Sequence, residues 1–119
     1  MKTNLHNMKL KPIPFSMIRD GQKTIELRLL DEKRQRIKIG DTIVFTNTVN
    51  GDSFAAEVTA LHRFESFEAL YQSLPLLKCG YTAENVATAH PSDMNQYYSA
   101  EEQKQYGVVG IELSVVSSL

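Results

Sequence analysis

Short segments of alternating or β-branched apolar residues, each closed by a turn signal, constrain the fold of this chain most strongly. The spacing predicts strands over residues 6–10, 24–29, 42–46, 54–61 and 108–116. Gly40-Asp41 and Asn50-Gly51 mark turns, and Asn-Gly is a strong signal for a hairpin. Strands this short, without long helices between them, favour a small barrel of the α+β class over a doubly wound sheet.

Helical signals occur in two places. Pro14 can lie in the first turn of a short apolar helix, which stops at Asp20-Gly21, where glycine supplies the C-terminal cap. Between residues 66 and 105 the apolar period changes, and one helix is expected over Thr82 to Ala89. We therefore predict short helices flanking the barrel, with the last strand returning to the early ones. The residues placed to cap the helices of this insert are Ser66, Thr82 and Ser99.

The 119 residues fit one domain, residues 1–119. No apolar run reaches the roughly 20 residues of a membrane span, and the N-terminus lacks the apolar core of a secretory signal. Cys79 is the only cysteine, which is typical of a reducing cytoplasm. It is either a small buried residue or a nucleophile. We expect a cytoplasmic protein that makes no membrane contact.

Charge is distributed unevenly along the chain. Residues 1–38 hold ten Lys and Arg against four acids, whereas residues 39–119 hold three against ten. The net charge of −1 therefore conceals a basic first third and an acidic remainder. If these segments separate in space, the basic face favours a polyanion such as RNA. If they interleave, the charges mix and no such face exists.

The stretch GQKTIELR, residues 21–28, carries the candidate chemistry. In a strand, Ile25, Leu27 and Leu29 face one side and Thr24, Glu26 and Arg28 face the other. Glu26 and Arg28 then either form an ion pair or line a site in which Arg28 binds a phosphate and Glu26 accepts from an amine or a water.

Neighbouring residues have similarly open interpretations. Lys23 is a solvated loop residue, a phosphate contact or, if desolvated, a base. Gly21 caps the helix and leaves room for a ligand beside the backbone. The charged run at 31–36 is a solvated turn or a source of phosphate contacts, Arg34 among them. Phe15 either packs in the core or stacks on a base. Tyr97 and Tyr98 are further candidates for stacking, and because adjacent residues of a helix cannot both face inward, at least one of them is expected to be exposed.

No metal or cofactor is expected. The three histidines, at positions 6, 62 and 90, lack ligand spacing, and Cys79 has no partner in a C-x-x-C pattern. The sequence also lacks the glycine-rich phosphate and dinucleotide loops and the G-x-S-x-G nucleophile motif.

These residues resemble the ASCH domain family, which has the PUA-like fold. Gly21 to Arg28 match the family's G-x-K-x-x-E-x-R signature, and they follow a helix that contains Phe15, Met17 and Ile18. Gly40-Asp41 before an apolar strand resembles the next landmark, and 106–111 resembles the last strand. The resemblance spans roughly residues 5 to 115.

Family membership implies a small PUA-like β-barrel with flanking helices and a cleft lined by the signature. It implies binding of RNA, a modified nucleoside or another nucleotide-like ligand in that cleft. The residues predicted to contact the ligand are Gly21, Lys23, Thr24, Glu26, Arg28, Arg34 and Tyr98.

The alternative is an enzyme acting in the same cleft, either a nucleoside amidohydrolase or a metal-independent ribonuclease, with Lys23 and Glu26 as catalytic residues. The family branch that hydrolyses N4-acetylcytidine resembles G-x-K-T-x-T-x-R, whose second Thr is the proposed nucleophile. Glu26 occupies that position here, and Thr24 is retained. A third alternative is a protein–protein adaptor without a nucleic-acid role, which an exposed apolar patch and no basic cleft would favour.

Overall fold

The computed structural model describes residues 3–118, and the side chains of residues 3–116. The strands are β1 (Leu5–Leu10), β2 (Ile25–Leu29), β3 (Thr42–Asn47), β4 (Ser53–Phe64) and β5 (Val108–Ser118). The α-helices are α1 (Pro12–Arg19), α2 (Glu32–Gln35), α3 (Phe67–Ser73) and α4 (Ala100–Tyr106). Three 3₁₀ turns lie between α3 and α4, at Leu76–Lys78, Val86–Thr88 and Pro91–Gln96. None of these described helices is long and apolar enough to cross a membrane.

The five strands form one sheet in the order β1-β3-β4-β5-β2. β1 runs parallel to β3, and the other pairs are antiparallel. The pairing of β4 with β5 shifts register between Ala55 and Ala56 and again between Val58 and Ala60. Such irregularities bend a strand and increase its twist. The sheet curls into a half-barrel, which confirms the predicted α+β class and small barrel with short flanking helices.

The curled sheet separates two apolar clusters. The cluster inside the half-barrel takes residues from β1, β3, β4, β5 and α1, with Phe45 and Phe54 fully buried. Phe15 belongs to this cluster at 1% exposure, so its packing role is confirmed. The second cluster lies on the outer face of β2 and β5, under α3 and the 3₁₀ turns. The helical insert thus covers an apolar face that the strands alone would leave in water.

Several local predictions are confirmed. Asn50-Gly51 turns β3 into β4, and Gly51 has φ of +79°. The Ser66 hydroxyl accepts from the amide of Ala69 and caps α3. Ser99 and Glu102 form the reciprocal capping box of α4, whose C-terminal cap is Gly107. These side chains satisfy backbone groups that helix ends leave without partners.

The helix predicted over Thr82 to Ala89 is wrong. Only the 3₁₀ turn Val86–Thr88 forms there. The Thr82 hydroxyl donates to Glu84 Oε2 at 3.2 Å instead of capping a helix, and the Thr82 amide donates to Asn85 Oδ1 at 2.7 Å. Asparagine side chains compete with helical hydrogen bonds in this way. The sequence prediction also missed α2, a single turn in the charged run that Asp31 caps through the amide of Arg34.

A buried aspartate secures the start of the sheet. Asp41 is 3% exposed, and its carboxylate accepts from the amides of Asn4 and Lys38, both at 3.0 Å. His6 Nε2 lies 2.8 Å from Asp41 Oδ2. Burial alone would raise the pKa of Asp41, but these hydrogen bonds hold it below its usual value. Asp41 therefore joins β1 to the turn that precedes β3.

Replacing Asp41 with Asn should lower the free energy of unfolding by about 1–3 kcal/mol at neutral pH, because two amides lose a charged acceptor. A carboxylate whose pKa is lowered by folding stabilises the protein above its unfolded pKa and loses that effect as pH falls through the folded pKa. The difference between wild type and Asp41→Asn should therefore shrink below about pH 4. Urea unfolding of both proteins at several pH values measures this difference in the free energy of unfolding. Asp52→Asn, on the exposed β3–β4 turn, is the control, and a pH-independent difference would contradict the prediction.

Candidate functional site

A cavity of about 570 Å³ opens where the two ends of the sheet approach one another. Its wall combines the end of β1, the start of α1, strand β2 and the Pro91–Gln96 turn. Four cationic and two anionic side chains line it. They are Lys9, Lys11, Lys23 and Arg28 against Glu26 and Asp93.

The register of β2 with β5 points Glu26 into the half-barrel. Glu26 pairs with Ile111 and Arg28 with Val109, and both β5 residues belong to the interior cluster. Directly paired residues share a face of the sheet. Glu26, 4% exposed, thus occupies a position at which the other strands place apolar side chains.

Two cations hold this buried carboxylate. Lys23 Nζ donates to Glu26 Oε1 and Arg28 Nε donates to Glu26 Oε2, each at 2.7 Å. The group of Lys23, Glu26 and Arg28, hereafter the charged triad, therefore carries one excess positive charge. Burial opposes ionisation of Glu26, yet its two partners hold its pKa below the usual range. Burial likewise works against the charge of Arg28, but Glu26 and then Tyr98 raise its pKa.

Lys23 passes close to Gly80 on its way to Glu26. A Cβ on Gly80 would come within 3.3 Å of Lys23 Cδ and 3.5 Å of Nζ, and Gly80 has φ of +109°. Lys23 is 8% exposed, so it is not a solvated loop residue. Cys79 lies in the same wall with its pKa raised by burial to about 11, which makes it a buried thiol rather than a thiolate nucleophile at neutral pH.

Arg28 also joins the two edges of the sheet. Its Nη2 donates to the backbone carbonyl of Lys9 on β1 at 3.0 Å. Lys33 makes a similar contact, from its Nζ to the carbonyl of Asn7, also at 3.0 Å. β1 and β2 are the two ends of the strand order, so no backbone ladder connects them in the described chain. Side chains alone bridge this seam beside the cavity.

A second polar group lies in the wall contributed by the helical insert. The Tyr81 hydroxyl donates to Asp93 Oδ2 at 2.7 Å, and the Tyr71 hydroxyl lies 2.6 Å from that of Tyr81. The amide of His90 donates to the same carboxylate oxygen at 3.2 Å. The hydrogen bond from the Tyr81 hydroxyl, followed by that from the His90 amide, holds the pKa of Asp93 below its usual value.

Apolar and aromatic side chains complete the cavity. Tyr98 packs parallel to Phe67, with ring centroids 6.3 Å apart, whereas Tyr97 is 57% exposed. On the α1 side, Ile13 is 74% exposed at the cavity wall. The exposed side chains of Tyr97 and Ile13, which line the cavity from different elements, leave apolar surface available to a planar ligand.

The structure brings together four of the seven residues predicted to contact a ligand. Lys23, Glu26, Arg28 and Tyr98 line the cavity. The other three, Gly21, Thr24 and Arg34, do not line it. Gly21, with φ of +84°, follows α1. The Thr24 amide donates to the backbone carbonyl of Lys78, and the Arg34 guanidinium forms an ion pair with Asp31 at 2.8 Å.

Sequence reasoning missed Lys9, Lys11, Gly80, Tyr81 and Asp93. The two lysines flank Leu10 at the end of a predicted strand, and only the basic character of the first third pointed to them. The other three lie in the irregular segment after α3, where no period places side chains. Among the described residues, no three His, Cys, Asp or Glu side chains group as metal ligands.

The fold and the cavity define a class of small half-barrel proteins with a charged cleft beside the second strand. The ASCH domain family matches residues 8–117, and the chain belongs to that family. No protein with a curated description matches the chain.

Solved structures with the same fold extend over nearly the whole chain. The crystal structure of hypothetical protein PH0355 is 29% identical with a TM-score of 0.78, covering 96% of this chain and 100% of that one. The solution structure of protein PF0455 from Pyrococcus furiosus is 28% identical with a TM-score of 0.73, covering 94% and 97%. The crystal structure of ASCH from Zymomonas mobilis, 14% identical, has a TM-score of 0.66 and covers 92% and 66%, a likeness in fold alone.

Replacing Glu26 with Gln should lower the free energy of unfolding by about 3–5 kcal/mol, because it leaves two buried cations without their counter-charge. Urea unfolding at neutral pH measures the change. Glu57→Gln, on the exposed side of β4, removes the same charge at a solvated site and should change stability by less than about 0.5 kcal/mol. Equal effects of the two substitutions would show that the charged triad is not energetically coupled.

Proposed function

We propose that this protein binds RNA or a nucleotide-like ligand in the cavity beside residues 21–28. The observation that carries the proposal is the excess of cations in a partly apolar cavity, four against two carboxylates. Phosphate groups are attracted to such a site, and a base has aromatic and aliphatic surface to pack on. Membership of the ASCH family supports the same proposal.

The cationic side chains take different roles in this proposal. Lys9 and Lys11 are exposed, so they attract phosphates over a distance without being tied to another group. Arg28 is partly buried and already oriented by Glu26 and the Lys9 carbonyl. An oriented guanidinium loses little freedom when it binds a phosphate, which favours specific contact over diffuse attraction.

Transfer RNA labelled with a fluorophore should bind the wild-type protein in an anisotropy titration. Its affinity should fall about tenfold between 50 and 200 mM salt if two to three phosphates are contacted. Arg28→Lys keeps the charge but cannot reach Glu26 and Lys9 together, so affinity should fall on the order of tenfold.

Arg19→Lys is the matched control, because Arg19 is exposed on α1 and pairs only with neighbouring Asp20 among the described residues. It should bind as the wild type does. Unchanged affinity in Arg28→Lys would place the RNA elsewhere on the protein. Absence of any binding by the wild type would overturn RNA as the ligand and leave only a small nucleotide-like ligand.

Hydrolysis in the same cavity is a second candidate, favoured by the direct contact of Lys23 with Glu26 in its wall. The contacts of Glu26 weigh against it, because a carboxylate with a lowered pKa and both oxygens bound to cations is a poor base. Thr24, the hydroxyl retained in the signature, does not line the cavity.

We therefore expect no turnover of acylated nucleosides such as N4-acetylcytidine, or of RNA, when the purified protein is assayed by chromatography. A denatured sample is the background control. Turnover that is present in the wild type and lost in folded Glu26→Gln would replace the binding proposal with an enzymatic one.

A further inference from the structure

The two carboxylates of the cavity are in opposite circumstances. Both oxygens of Glu26 accept from cations of this chain, at 2.7 Å each. Asp93 makes no ion pair with any Lys or Arg of the described residues. Glu26 is therefore neutralised by cations of this chain, whereas Asp93 has no such cation among the described residues.

The partners of Asp93 occupy a single oxygen. Oδ2 accepts from the Tyr81 hydroxyl and from the His90 amide, which also makes Asp93 part of the cap of the Pro91–Gln96 turn. Oδ1 accepts no hydrogen bond from the described residues, although Asp93 is half-buried in the cavity wall. The Tyr71 hydroxyl, 2.6 Å from that of Tyr81, in turn orients the Tyr81 hydroxyl. Asp93 Oδ1 is not among the buried atoms without a partner, so this fixed acceptor is accessible to water and to a ligand in the cavity.

An unneutralised carboxylate is costly in a site that attracts anions, because it repels a phosphate by the same electrostatics that the lysines use to attract it. That cost is offset when the ligand places a hydrogen-bond donor against it. Building on the proposed function, we propose that Asp93 is a specificity-determining residue that selects nucleotides whose base carries an exocyclic amine. The amine donates to Asp93 Oδ1 while the cations hold the phosphate.

One free oxygen also limits which bases fit. A single exocyclic amine, as on adenine or cytosine, needs one acceptor. Guanine presents two adjacent donors to a carboxylate that accepts with both oxygens, and Oδ2 already has two donors from the chain. The ligands selected are therefore phosphates of adenine-like or cytosine-like bases.

Calorimetric titration of wild type with two matched pairs tests this selection. Adenosine 5′-monophosphate is compared with purine riboside 5′-monophosphate, and cytidine 5′-monophosphate with 2-pyrimidinone riboside 5′-monophosphate. Each pair differs only in the amine. A hydrogen bond to a charged acceptor predicts a preference of about tenfold for the amine-bearing member. Equal binding of both members overturns the inference and leaves the proposed function standing. No binding of any of the four overturns the inference, and it overturns the proposed function only if transfer RNA also fails to bind.

The variant Asp93→Asn sharpens the test. The oxygen of the new amide must accept from the His90 amide, which can only donate, so its NH₂ group replaces Oδ1 and turns an acceptor into a donor. The preference for the amine should disappear or reverse. Asp52→Asn, an exposed residue on the β3–β4 turn, is the matched control and should keep it. Retention of the preference in folded Asp93→Asn overturns the inference, and the wild-type pairs decide it if that variant does not fold.

Discussion

The carboxylate of Glu26 is the constraint on which the site and much of the sheet's edge depend. It lies at an interior position where its neighbours on the other strands are apolar, and it is ionised because Lys23 and Arg28 surround it. Buried ion pairs contribute little to stability compared with apolar side chains of the same size. What the group supplies is position, since Glu26 fixes Arg28 so that it reaches the carbonyl of Lys9 across the seam.

Charge in the cavity is therefore divided between fixed and available groups. In the charged triad, Lys23 and Arg28 both contact Glu26, and the three side chains together contribute one net positive charge. Lys9 and Lys11 extend that charge to the opening, and Asp93 opposes it from the helical insert. A ligand that suits all of these groups is anionic at one point and a hydrogen-bond donor at another, with a body that tolerates apolar contact. This combination is narrower than electrostatic attraction alone.

The sequence predicted the strands well, since period-two alternation depends only on near neighbours. The alternation places Glu26 and Arg28 on the face of β2 opposite to Leu27. Which of the two faces lies inside the half-barrel depends on the pairing of Glu26 with Ile111 and of Arg28 with Val109 of β5. The burial of Lys23 escaped prediction because its neighbours in the cavity wall, such as Gly80, lie far along the chain. Asp93 escaped prediction because a six-residue 3₁₀ turn is too short for its three-residue period to appear as a pattern in the sequence. Resemblance to a family pointed to the location of the candidate site, and tertiary contacts determined which side chains line the cavity there.

The side-chain bridges across the seam also determine how the half-barrel can deform. A closed barrel resists widening because each strand is held to both neighbours by a backbone ladder. Here Arg28 of β2 contacts the carbonyl of Lys9 on β1, and Lys33 of the following helix α2 contacts the carbonyl of Asn7. Losing these two contacts would leave every strand pairing of the sheet in place, because neither belongs to a backbone ladder. The spacing of the two sheet edges beside the cavity is therefore set by side chains rather than by backbone hydrogen bonds.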